Sequence, residues 1–123
     1  MFIILISSLA GCAPKFNQYN YDRMVNIAVI SRDSDSVCQN RDSMLKSFGI
    51  LRREAIYAIE DSEGRSDTDV AQMMKNQLDE IDRFLDMLKK QTPSPFYCKL
   101  KTKNIYETAK IITRAEGNKL KIL

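Results

Sequence analysis

The chain has 123 residues, with 19 Lys and Arg against 16 Asp and Glu, three cysteines, and neither histidine nor tryptophan. That length supports one modest core, and 44% apolar with 28% charged residues is the balance of a folded domain rather than a disordered one. The lack of histidine removes the commonest general base and the commonest transition-metal ligand, and a formal charge of +3 is too small to point to nucleic acid.

Met1 to Gly11 is an uncharged apolar run that ends in small residues before Cys12. It is too short to cross a bilayer, which takes about 20 apolar residues, and fits a secretory signal with its cleavage site. Leu9-Ala10-Gly11-Cys12 resembles the lipobox of bacterial lipoproteins. The resemblance implies cleavage after Gly11, diacylation of the Cys12 thiol and acylation of the new amino terminus. No Lys or Arg precedes the apolar run, which departs from the usual pattern. Ala13 follows the cysteine where an Asp would imply retention at the inner membrane. The expected location is therefore the periplasmic side of the outer membrane. Two or three acyl chains anchor stably where one does not.

Pro14 to Tyr21 reads as a polar and aromatic tether. Asp22 to Ser31 fits a helix, or a buried strand from its β-branched run; with no second strand nearby, helix is the expectation. Asp33-Ser34-Asp35-Ser36 forms a loop, with Ser36 as the cap of the next element. From Val37 to about Asp61, apolar residues recur at helical spacing through Val37, Leu45, Phe48, Ile56 and Ile59, with Met44, Leu51 and Ala55 alongside. Ser62-Glu63-Gly64-Arg65 is a turn. A second helix follows Ser66, runs through Val70, Met74, Leu78 or Gln77, Ile81, Leu85 and Leu88 to about Gln91, and stops at Thr92-Pro93-Ser94-Pro95.

Two helices of about 25 residues joined by a short turn make an antiparallel hairpin, each arm roughly 37 Å long. Export places the chain in an oxidising compartment, and lipid consumes Cys12. Cys38 and Cys98 remain, and the hairpin returns both to one end. They are expected to form a disulfide, the alternative being two buried free thiols.

Beyond Cys98, Lys99, Lys101 and Lys103 alternate with Leu100 and Thr102, which reads as a brief extended stretch or linker. Asn104 then caps a last helix over Ile105, Ala109 and Ile112, ended by Gly117. The expected fold is all-α, a small bundle of three or four helices around the long hairpin. Its organisation is a signal peptide (1–11), a lipidated cysteine and tether (12–21) and a single helical domain (22–123).

Ser43-Met44-Leu45-Lys46 fits the S-x-x-K nucleophile motif, but Lys101-Thr102-Lys103 is not the K-T-G that would accompany it, and a solvated helix face is expected. An EF-hand counted from Asp61 would need glycine at Ser66 and glutamate at Gln72, so Asp61, Glu63, Asp67 and Asp69 fit helix ends better than calcium. Asp79, Asp82 and Asp86 read as a solvated face near Lys75 and Lys89. Met74 falls in the core stripe, with Met73 and Met87 at its margin.

Charge is uneven along the chain. Residues 13–98 carry 12 basic and 14 acidic side chains, whereas 99–123 carry 7 basic and 2 acidic. Behind an export signal such a basic tail suits anionic lipid or peptidoglycan better than nucleic acid. Lys99, Lys101 and Lys103 are the candidate contacts. The expected function is that of a non-enzymatic, lipid-anchored module that binds another envelope protein and uses no cofactor beyond the lipid on Cys12. A second expectation, by analogy of size and anchor, is a phage or mobile-element envelope factor, either an outer-membrane spanin or an entry-exclusion lipoprotein.

Overall fold

A computed structural model describes residues 15–122, with side chains to residue 120. Leu9, Ala10, Gly11 and Cys12 lie outside the described residues. Four helices account for most of the remainder: α1 (Gln18–Ser34), α2 (Arg41–Gly64), α3 (Thr68–Lys90) and α4 (Pro95–Gly117). Short 3-10 turns follow α1 (Asp35–Val37) and α4 (Asn118–Ile122). The fold is an all-α bundle.

Local chemistry sets each boundary. Asn17, Asn40 and Ser94 begin α1, α2 and α4, their side-chain oxygens accepting the N–H groups of Asn20, Ser43 and Tyr97. Ser36 is therefore not the cap of α2; its hydroxyl donates instead to the Asp33 carbonyl, within the turn that closes α1. The hairpin turn comes slightly later than the glycine suggests. α2 continues through Gly64, and the chain reverses at Ser66, a non-glycine residue at φ 59°. Pro95 opens α4 at a position where its missing N–H costs nothing.

Further sequence expectations change, beginning with Asp33 and Ser34, which close α1 rather than forming a loop. The segment from Pro14 to Tyr21 is not wholly tether, because Gln18–Tyr21 form the first turn of α1 and Asn20 is fully buried. The stretch after Cys98 is not extended; it is the second turn of one continuous α4. Asn104 accordingly lies mid-helix, and Ser94 does the capping.

The helices run up, down, up and down, and each packs against its neighbours in a ring: α1 on α2, α2 on α3, α3 on α4, and α4 back on α1. The core between them holds Met24, Ile27, Met44, Phe48, Leu51, Met74, Ile81, Phe84, Leu88, Ile105 and Ile112, each essentially inaccessible to water. Phe48 and Phe84 meet across α2 and α3 with ring centroids 4.5 Å apart, and Tyr97 of α4 continues the stack. Met73 and Met87 lie half-buried against this core.

Candidate functional site

Polar side chains that tie one helix to another gather mainly at the two ends of the bundle. At one end Cys38 and Cys98 sit at disulfide distance, with Cα atoms 5.7 Å apart and sulfurs 2.15 Å apart. Beside them Arg41, in the first turn of α2, donates to the carbonyls of Leu88 and Lys89 (2.6 Å for the latter). Those carbonyls have no helical partner, and the cation also suits the negative end of the α3 dipole. The start of α2 is thus tied to the end of α3, as an antiparallel hairpin requires.

At the opposite end, the Lys119 ammonium lies between the carboxylates of Asp67 and Glu116, 2.6 Å from the latter. Glu116 is fully buried, and its bond to Lys119 is one of charge proximity rather than good hydrogen-bond alignment. The Asn20 amide, oriented to satisfy both its ends, accepts from the Ser62 hydroxyl (2.6 Å) and Arg65 (3.3 Å) and donates to Asp61 (3.2 Å). Between the ends, Gln77 of α3 donates to the Ile105 carbonyl of α4 at 2.9 Å. Arg23 of α1 reaches both Glu54 oxygens of α2 at about 3 Å while lying over the Tyr19 ring. The hydrogen bond to Glu54 raises the guanidinium pKa above its already high ordinary value, so Arg23 stays charged at any working pH.

The surface between α1 and α4 is different in kind. Two adjoining open hollows, about 340 and 250 Å³, follow the furrow between the helices. Val25, Ala28, Val29 and Tyr106 form its apolar floor, and Arg32, Lys99, Lys103, Lys110 and Arg114 its rims, with the Asp35 carboxylate beside Arg32 and Lys99. Lys110 lies 4.6 Å over the Tyr106 ring and 3.3 Å from Glu107. Large apolar side chains also stand in solvent on these helices: on α4 Phe96 is 78% exposed, Ile111 58% and Leu100 42%, and Val29 of the furrow floor is 39% exposed.

The three lysines singled out in the sequence divide between two faces. Lys99 and Lys103, one turn apart, line the furrow; Lys101 turns away and lies over Tyr97. Lys110, Arg114 and Arg32, which sequence reasoning passed over, complete the basic rim. The signal for Lys110 and Arg114 was available, since Lys99, Lys103, Tyr106, Lys110 and Arg114 recur every three or four residues once the segment is taken as helix.

The other motifs resolve into structure. Ser43 and Lys46 occupy the outer side of α2 next to α1. Asp61 pairs with Arg65, and Asp82 with Arg52 across the hairpin. Lys75 pairs with Glu63 rather than with Asp79. Among the described residues no group of three His, Cys, Asp or Glu side chains is placed to hold a metal, and no helix is long and apolar enough to cross a membrane. No family model, curated protein or solved structure matches this chain.

Proposed function

We propose that the protein is a small bacterial envelope lipoprotein, anchored through lipid on Cys12, whose helical bundle acts without catalysis by binding another envelope protein. The carrying observation is how the bundle spends its polar side chains. Arg41, Asn20, Gln77, Arg23, Asp67, Glu116 and Lys119 each join one structural element to another. Polar ties of this kind, buried and half-buried, make a rigid body and leave recognition to its outer surfaces.

The address supports the same reading. Leu9-Ala10-Gly11-Cys12 precedes the first helix by six residues, a tether of at most about 20 Å. In an oxidising periplasm the Cys38–Cys98 pair is oxidised, which closes the end of the bundle at the start of α2.

Chemical crosslinking in cells carrying the full chain, followed by detergent extraction and affinity purification, tests the binding role. One stoichiometric envelope protein is expected with the native chain, and lost with Cys12→Ser, which releases the bundle from the membrane. Recovery of the chain alone under efficient crosslinking contradicts the proposal. So does hydrolysis of peptidoglycan or of an ester by the purified protein.

A further inference from the structure

On α4, Phe96, Leu100, Lys103, Glu107, Ile111 and Arg114 recur every three or four residues and share the outward face. From Phe96 to Ile111 this face runs about 22 Å at 1.5 Å per residue. Three of the six are exposed apolar side chains. Lys99 and Lys110 border them on the furrow side, Arg32 and Val29 of α1 lie across it, and Leu120 stands exposed beyond the end of α4. The carboxylates on this side are few: Glu107 pairs with Lys110 and Asp33 with Arg32, Asp35 shares the furrow with Arg32 and Lys99, and Asp22, one turn before Val25 on α1, accepts from the Gln18 amide.

We propose that the α1–α4 side of the bundle docks onto the anionic surface of a phospholipid membrane, with Phe96, Leu100 and Ile111 entering the interface and Lys99, Lys103, Lys110, Arg114 and Arg32 meeting lipid phosphates. Apolar side chains projecting among cations on one helical face are the pattern of interfacial membrane binding. Charge complementarity selects an anionic surface, on which each basic side chain contributes roughly fivefold to binding.

Two observations favour a membrane over an acidic helix of a partner protein. A helix lying in the furrow would cover Val29 and Tyr106 but leave Phe96 and Ile111 in water, because those project from the convex side of α4. Furthermore, α1 begins six residues after Cys12, so the lipid anchor holds the end of the bundle where α1 starts and α4 finishes within reach of the bilayer. The inference rests on the lipid-anchor reading. It adds an orientation, with the bundle lying on its side and the diagonally opposite helix α2 directed away from the membrane.

The chain has no tryptophan, so a single one can report on each face. Full-length lipoprotein carrying Phe96→Trp, or Tyr57→Trp on α2 as the control, would be purified in detergent. It would then be reconstituted into vesicles of phosphatidylethanolamine and phosphatidylglycerol, or of phosphatidylcholine alone. Quenching by brominated acyl chains should be several-fold stronger at position 96 than at 57, and stronger on the anionic vesicles. Adding Lys99→Gln and Lys103→Gln should weaken it, with circular dichroism confirming the native helix content.

A chain that floats with vesicles but quenches equally at both positions overturns the docking and leaves the anchor intact. Quenching indifferent to lipid charge overturns the electrostatic role. A Trp at position 96 that stays in water on pure lipid, but shifts to the blue on envelope vesicles containing proteins, overturns the membrane in favour of a protein partner. A chain that does not float overturns the anchor, and the docking with it.

Discussion

Removing the Cys38–Cys98 link tests how the bundle is held together. The two residues are 60 positions apart and almost wholly buried, 3% and 0% exposed. Crosslinking across a loop of that length removes roughly 14 cal/mol/K of entropy from the unfolded chain in the chain-entropy model, or about 4 kcal/mol at 25 °C. For a domain near 100 residues, each kcal/mol moves Tm by about 4 °C or more, so the reduced protein should melt about 15 °C lower. Refolding the native sequence in excess reductant isolates the crosslink, because both sulfurs stay in place. Cys38→Ala with Cys98→Ala should fall further, because it also leaves small voids. Thermal melts followed by circular dichroism at 222 nm, with and without reductant, give the difference. A shift below about 5 °C would refute the reasoning, since it would mean that the hairpin and the Arg41 contacts already restrict the unfolded chain.

Further substitutions probe other parts of the account. Phe48→Ala, which empties a fully buried site against the Phe84 ring, should cost about 3–5 kcal/mol in urea unfolding. Lys119→Met leaves the Asp67 and Glu116 carboxylates facing each other in a buried setting. It should cost about 3 kcal/mol, part of which Glu116→Gln added to the same protein restores in a double-mutant cycle. Ser94→Ala removes the acceptor for the Tyr97 N–H and should cost about 1 kcal/mol, read from the same denaturation curves.

The hairpin was legible because its apolar period persists over two long segments, and a long period outweighs local ambiguity. Pairing Cys38 with Cys98 followed from that geometry together with the export signal, which assigns Cys12 to lipid. Where windows were short, the reading failed for identifiable reasons. Lys99-Leu100-Lys101-Thr102-Lys103 alternates like a strand, but only over five residues. The Ser94–Pro95 pair ahead of it carried the better signal, a cap followed by proline at the first helical position. Asn20 looked like tether because asparagine is polar; its burial depends on Ser62, 42 residues away, which no local pattern reveals. The basic furrow was half visible as a charged tail. Arg32 joins it from another helix, so its extent depended on α1 packing beside α4.

The lipid on Cys12 is the premise on which location, oxidation state and membrane docking all depend. Intact-mass spectrometry of the full-length protein, expressed in a bacterium and extracted from its membranes, measures it directly. The expected species begins at Cys12 and carries a diacylglyceryl group on the thiol with a further acyl chain on the amino terminus. A species that retains Met1 to Gly11, or one beginning at Cys12 with an unmodified thiol, would contradict it.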